Sequence, residues 1–423
     1  MREMRDSGVE WIGDVPASWT VERFKGLVSN VNEPIPAGSS LSVPLENVEP
    51  WTGKLLNSAP SEDNEGCAKG FRSGDVLFSK LRPYLAKAYC APMPGACSGE
   101  MLVLRTTVMD PRFLLYYLLS PSIIDVINGL NFGAKMPRAD WNIVCDLMVP
   151  LPPMDAQRRI VAYLDERCAA IDEDVAKRRE VIEKLKEYKK SLIARAVTKG
   201  LDPNAEMKDS GVEWIGEVPT RWTISKLSFF ANSVLGKMID RKTETAVNIH
   251  RYLSNRDVNW FCVNSDNLSE TSFPENSDQR YGIEDGDILI CEGGEVGRCC
   301  VWRGPSPDFY FQKAIHRLRV NQKIAVPEFI AYQMLQKSVE GKFIEVRHGE
   351  ATISHLPGDQ LMMLKFILPP LGEQRRIVAY LDECRAVIDE AISRQKQLID
   401  KLGEYRKSII HHAVTGKIDC REA

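Results

Sequence analysis

The chain of 423 residues has no apolar run long enough to cross a bilayer. Its opening residues, MREMRDSGVEW, lack the apolar core of a secretory signal, so a cytoplasmic location is expected. It has 11 cysteines but no Cys-x-x-Cys pair, and only Cys299 and Cys300 are neighbours. An odd, irregular set excludes a disulfide framework and points to reduced, mostly buried thiols. There is no Gly-x-x-x-x-Gly-Lys-(Ser/Thr) loop; the nearest run, Gly293-Gly294-Glu295-Val296-Gly297-Arg298, lacks the lysine and hydroxyl that phosphate binding needs. No Gly-x-Gly-x-x-Gly follows a strand, no His-Glu-x-x-His occurs, and the six histidines are scattered. The pair His411-His412 lies near the end of the second helix, where the dipole favours a cation, so a cap role outweighs a metal role. The Asp/Asn-Pro-Pro-aromatic tetrapeptide with which amino-methyltransferases hold a target base is also absent, since Leu151 and Leu368 precede the two Pro-Pro pairs. No catalytic constellation and no metal site are expected.

What is present is an ordinary globular composition, 44% apolar and 27% charged, long enough for two to four domains. A net charge of -3 argues against a protein that coats nucleic acid by charge alone. Locally the balance differs. Residues 67–138 hold nine Lys/Arg against four Asp/Glu, and residues 298–347 repeat that ratio. One such run is ordinarily a solvated face, but its recurrence at equivalent places favours an anionic partner.

The chain says the same thing twice. Met4 to Trp19 returns at Met207 to Trp222 with 12 of 16 positions identical. Leu151 to Asp172 returns at Leu368 to Asp389 with 16 of 22 identical. The offset is 203 for the first motif and 217 for the second, so the diverged stretch between them is 14 residues longer in the second copy. A constant frame with two unlike inserts suggests one scaffold presenting two recognition surfaces.

Each later motif opens a helix of some 45 residues, roughly 65 Å at ~1.5 Å per residue. Pro152-Pro153 and Pro369-Pro370 suit a helix start, and Gly200 and Gly416 suit its stop. Apolar residues recur at Ile160, Leu164, Ile171, Val175, Ile182, Leu185 and Leu192, and at Ile377, Leu381, Ile388, Ile392, Ile399, Leu402 and Ile409. Spacings of three, four and seven make a coiled-coil seam. Pairing of the two helices, antiparallel about a pseudo-twofold axis, is preferred over packing of each on its own module or on another subunit. The inserts read as mixed α/β. Strands open at Gly74-Asp75 and Gly286-Asp287, further strands run over 101–105 and 315–319, and helices follow Pro111 and Pro327. Trp11, Trp19, Trp214 and Trp222 repeat with the frame, so they are expected to pack module against helix.

The motifs Gly-Val-Glu-Trp-Ile-Gly-(Asp/Glu)-Val-Pro and Leu-Pro-Pro-x-x-x-Gln-Arg-Arg-Ile-Val-Ala-Tyr-Leu-Asp closely resemble those of the specificity subunits of type I restriction–modification systems. The resemblance covers essentially the whole chain. It implies a first target recognition domain over 1–153 (with the motif at 4–19), a central helix over 154–200, a second recognition domain over 201–371 (motif at 207–222) and a distal helix and tail over 372–423. It further implies an α/β fold of two globular domains separated by the helices, each domain reading half of a bipartite, asymmetric double-stranded DNA target. The helices would set the spacing and dock two modification (methyltransferase) subunits, with restriction (translocase–endonuclease) subunits completing the nuclease. S-adenosylmethionine, ATP and Mg would sit on those partners, with no cofactor in this chain. One departure is Gly372-Glu373 in place of Asp155-Ala156, which should weaken the second helix start.

Base readout needs a few polar side chains on a loop, with other basic groups on phosphates. In the first insert the candidates are Lys80, Arg82, Tyr84 and Lys87 after the Gly-Asp strand, with Lys135 and Arg138. In the second they are Arg298, Lys313, Arg317, Arg347, His348, Thr352, Ser354 and His355. Two other readings rank below a non-catalytic DNA-binding subunit: a self-contained methyltransferase or nuclease, and a coiled-coil adaptor joining two proteins.

Overall fold

A computed structural model describes residues 2–35, 41–56, 67–130, 137–212, 215–239, 248–274, 277–304, 309–339, 341 and 355–420. The chain packs as two compact units, Met1–Glu180 with Gln395–Ala423, and Val181–Arg394. In chain order the main elements of the first copy are β1 (Thr20–Arg23), β2 (Ser29–Val31), β3 (Val76–Ser79), β4 (Ala88–Cys90), β5 (Met101–Arg105), α1 (Pro111–Leu118), β6 (Met148–Leu151) and α2 (Met154–Lys199). Those of the second are β7 (Thr223–Lys226), β8 (Ala231–Leu235), β9 (Ile288–Cys291), β10 (Cys299–Val301), β11 (Ile315–Val320), α3 (Pro327–Val339), β12 (Lys365–Leu368) and α4 (Leu371–Val414). Among the described residues no helix is long and apolar enough to cross a membrane.

In the first unit an antiparallel sheet runs in the order β2-β5-β3-β4. Period-two alternation turns Val76, Phe78, Leu102 and Leu104 toward a core shared with α1 and α2. Leu77, Met101 and Val103 face the other way, onto a three-stranded sheet of Leu41–Val43, Gly95–Ser98 and Cys67–Phe71. Both faces are covered, which is why these strands read as continuous apolar runs. Asp110 caps α1 by accepting the N–H groups of Arg112 and Phe113, and Pro111 takes the first helical position. Ile160, Leu164 and Ile171 of α2 are buried together with Ile409, Ile410, Ala413 and Val414 of α4, with Val175 and Leu402 half-buried beside them. The Arg178–Gln395 hydrogen bond (3.0 Å) and the Arg406–Asp172 pair give these segments an antiparallel register.

The second unit repeats the plan, with sheet order β8-β11-β9-β10. Ile288, Ile290, Leu318 and Val320 face one core; Leu289, Cys291 and Ile315 face the other. Its three-stranded sheet differs in one respect. Ser269–Ser272 joins Ile249–Leu253, whereas Cys67–Phe71 of the first unit joins Gly95–Ser98. Ile193, Ala196 and Val197 of α2 pack with Ile377, Val378 and Leu381 of α4, and Lys189 bonds Asp389 at 2.6 Å, again antiparallel. Ile182, Ile388 and Ile392 are buried, and Leu185, Leu192 and Ile399 are half-buried. In each unit the seam therefore serves two surfaces at once: one helix packs on its own module, and the end of the other helix closes the same core.

Gly200 (φ +78°) and Gly416 (φ +72°) stop the two helices in the left-handed region. A Cβ at Gly200 would stand 3.0 Å from the Trp222 ring, and one at Gly416 would stand 2.9 Å from Trp19. Trp222 and Trp19 thus seal the two helix ends. Trp11 is half-buried, 6.5 Å from the Tyr117 ring, and Trp214 lies outside the described residues. The helix α4 starts at Leu371, the position equivalent to Met154, so Gly372 does not delay it. Gln374 accounts for that: its carbonyl accepts from Val326 N and its amide donates to Pro369 O, as Gln157 does with Asp110 N and Pro152 O. All 11 cysteines are free; five are buried and only Cys262 is exposed.

Candidate nucleic-acid interface

In the first unit the segment between β3 and β4 is a rigid turn. Arg82 (φ 49°) and Ala86 (φ 43°) are both left-handed and bracket a single 3-10 turn, Pro83–Leu85. Non-glycine residues adopt that region rarely and at a cost, so two within five residues mark a conformation the surroundings enforce. Pro83 is buried, while Arg82 and Tyr84 are exposed, Tyr84 by 47%. The base of the turn is held by Lys80 N–H to Glu100 O (2.9 Å), Ala139 N–H to Lys80 O (2.7 Å) and an antiparallel bridge between Leu81 and Arg138. Arg138 donates to Glu100 at 2.6 Å, and Lys80 Nζ lies 3.7 Å from the same carboxylate. Lys87 donates to Leu45 O at 2.9 Å, and burial pulls its pKa down. Lys80, Arg82, Tyr84, Lys87 and Arg138 are thus gathered on one turn, and among the described residues Arg82 has no ion-pair partner. Lys135 lies outside the described residues.

The second unit builds the same place differently. Glu292–Arg298 follows β9 as a glycine-rich turn with Gly294 and Gly297 at positive φ. Glu292 N–H donates to Ala314 O, Leu356 N–H donates to Glu292 O, and Gly293 bridges His355 as Leu81 bridges Arg138. Exposed Lys313 and His355 flank this turn. Arg298 points inward, donating to Asn255 O at 2.7 Å with Glu295 3.6 Å away. Arg317 is only 5% exposed; it donates to Gly282 O at 2.6 Å, its guanidinium lies over the Phe311 ring, and burial lowers its pKa. Its position on β11 decides this, because Arg317 lies on the same side of the strand as Ile315, which packs into the second core. Arg347, His348, Thr352 and Ser354 lie outside the described residues.

Under both turns lies a charged anchor that sequence reasoning missed. Asp75 and Asp287 are buried, and each accepts two hydrogen bonds from one guanidinium, Arg105 (2.7 and 2.7 Å) and Arg319 (2.7 and 2.8 Å). The same carboxylates accept the N–H groups of Arg72 and Glu284, which closes the Gly-Asp turn. Arg105 also bonds Glu33 and holds its carboxyl below the usual range. The signal was available: an Asp at the strand start and an Arg at the end of its neighbour, in both copies. A second repeated link joins module to helix, Tyr116 O–H to Asp165 and Tyr332 O–H to Asp382, both at 2.6 Å. Among the described residues no three His, Cys, Asp or Glu side chains gather at metal-ligand spacing.

These features define a class: a tandem of α/β modules, each carried on a pair of long helix segments and each presenting one differently furnished turn. Residues 219–401 match the family model described as the type I restriction modification DNA specificity domain. The chain is 25% identical over 187 residues to the EcoDI specificity subunit of Escherichia coli, covering 43% of this chain and 42% of that protein, so the aligned part spans less than half of that relative. It is 23% identical over 432 residues to the putative MjaX specificity subunit of Methanocaldococcus jannaschii, covering 96% of this chain and 95% of that protein. A chain solved in work on the complex assembly and conformational transition of the type I R-M system has the same fold, with a TM-score of 0.74 at 20% identity, covering 96% of this chain and 99% of that one. Residues 219–401 thus match a type I restriction modification DNA specificity domain, and over most of its length the chain is similar to type I specificity subunits.

Proposed function

We propose that this chain is the non-catalytic DNA-reading subunit of a type I restriction–modification complex, each module reading one half of a bipartite, asymmetric target. The observation that carries the reading is the equivalence of the two turns. Each follows the Gly-Asp strand, and each is bridged to a returning loop at Arg138 or His355. One turn offers Arg82 and Tyr84 while the other offers Gly294 and Glu295, so the same place on the same scaffold presents different donors and acceptors. Major-groove readout depends on that difference. The proposed interface comprises Lys80, Arg82, Tyr84, Lys87 and Arg138, with Lys313 and His355 in the second module; Arg298 and Arg317 are left out because they serve the interior. Lys135, Arg347, His348, Thr352 and Ser354 remain proposed contacts in the adjoining loops.

The long helices set the distance between half-sites and dock two modification subunits. Adenine methylation with S-adenosylmethionine belongs to those subunits, and ATP and Mg to the restriction subunits. The purified chain should therefore bind duplex DNA with an affinity that falls steeply from 50 to 200 mM salt, roughly 10³-fold for about six phosphate contacts. It should transfer no methyl group from S-adenosylmethionine until modification subunits are added. Methyl transfer by the chain alone would overturn the assignment.

A further inference from the structure

Each module touches the helices through a hairpin whose tip residue is aromatic and left-handed. In the first unit the tip is Trp51 (φ 64°), between the bridged residues Val48 and Leu55. In the second it is Phe261 (φ 62°), in the hairpin Val258–Asn259/Cys262–Val263. Both follow an Asn/Asp-Val pair at the same distance, Asn47-Val48 and Asp257-Val258, with both valines fully buried. Their offset of 210 (261 minus 51) falls between the 203 and 217 of the flanking motifs. The hairpin is therefore a third repeated piece inside otherwise diverged inserts.

The two tips are wired alike. Trp51 N–H donates to Ala86 O at 3.3 Å, at the residue that closes the Arg82–Tyr84 turn. Phe261 N–H donates to Cys299 O at 3.2 Å, at the residue that follows the Glu292–Arg298 turn. On its other side each ring meets a cation from α4. Lys407 Nζ is 4.5 Å from the Trp51 ring, and the Arg385 guanidinium is 4.3 Å from the Phe261 ring. Phe261 also packs against Tyr332, the ring centroids 4.6 Å apart and tilted by 40°, and Tyr332 bonds Asp382 of the same helix. Each ring lines a cleft between module and helix segments, of about 590 Å³ in the first unit and 510 Å³ in the second. Each ring packs on the edge of a hydrophobic core and spans the cleft beside it as a strut.

We propose that Trp51 and Phe261 are positioning residues that fix the angle of each base-reading turn on the helices, and so fix the spacing at which the two half-sites are accepted. This rests on the two-half reading above. The test is methylation of a duplex library carrying both half-sites at varied separations, by the full chain assembled with its modification subunits. Wild type should accept one separation. W51A and F261A should keep the half-site sequences but raise relative methylation at separations one base pair shorter or longer by at least tenfold, with W51F and F261Y restoring the narrow profile. K407Q and R385Q, which remove the cation over each ring together with its ion pair to Glu404 or Asp382, should broaden it in the same direction and serve if the alanine variants do not fold. An unchanged narrow profile in the folded variants, even with reduced activity, overturns the proposal. A wild-type profile indifferent to separation would instead overturn the two-half reading.

Discussion

At the scale of single residues, exposure separates arginines open to a partner from those that hold the protein together. Arg82 stands free on a turn locked by two left-handed residues, while Arg317, in an equally basic-looking run, is sealed against Phe311 and Gly282. R82A should lower discrimination at one half-site by about 1–3 kcal/mol and leave melting temperature unchanged. R317A should do the reverse, lowering stability without altering the methylated sequence; thermal melting and methylation profiles of the two variants separate the cases. The sequence could not make this distinction. Strand alternation gives a side, but β11 is covered on both sides, so neither side announces solvent.

A second residue-scale effect concerns His411. Burial, then Lys417 and His412, push its pKa from 6.5 down to about 4, while its Nδ1 lies 3.3 Å from Ser120 Oγ and 3.1 Å from Ser122 Oγ. It is therefore neutral at pH 7, and the helix-end cation expected at this position is not supplied by this ring. The unfolded chain binds a proton here that the folded chain rejects. The stability His411 contributes is complete above about pH 6.5 and is lost as pH falls toward about 4. Urea midpoints measured across that window should fall less steeply for H411Q than for wild type.

At the scale of elements, α2 and α4 were the most legible features, because a long stripe with charged flanks, a proline start and a glycine stop all agree. What the stripe could not say is that each helix divides its apolar face between its own module and the other helix. The two kinds of glycine in α4 and its stop test the packing. A Cβ at Gly403 would meet nothing within 4 Å, so G403A should stabilise by about 1 kcal/mol through helix propensity. Gly416 is left-handed and a Cβ there would meet Pro16 at 2.5 Å, so G416A should destabilise by about 1–3 kcal/mol or more. Opposite shifts in melting temperature are the expected result. The short three-stranded sheets and the aromatic hairpins escaped the sequence for a different reason. Strands such as Leu41–Val43 and Ser269–Ser272 carry too little alternation to register, and the hairpin repeat survives as an Asn/Asp-Val pair and one ring.

At the scale of the whole molecule, the growing offset between copies shows where the modules differ. It is 203 at the frame tryptophans, 210 at the hairpin tips, 212 at the buried aspartates Asp75 and Asp287, and 217 at the helix motif. Half of the 14 extra residues thus enter before the hairpin, and the anchors Arg105–Asp75 and Arg319–Asp287 are kept despite them. The frame was legible because repetition exposed it. The readers were not, because the side chains that differ are the ones a comparison of copies discards.

In the proposed function, two unlike readers sit on one repeated frame. Methylation-sensitive sequencing of DNA from a host carrying this chain with its modification subunits tests it most directly. One asymmetric methylated motif made of two different half-sites with a fixed gap is expected, with loss of sequence preference in the first half-site alone when Arg82 and Tyr84 are replaced. A single continuous motif, or a palindrome with two identical halves, would contradict it.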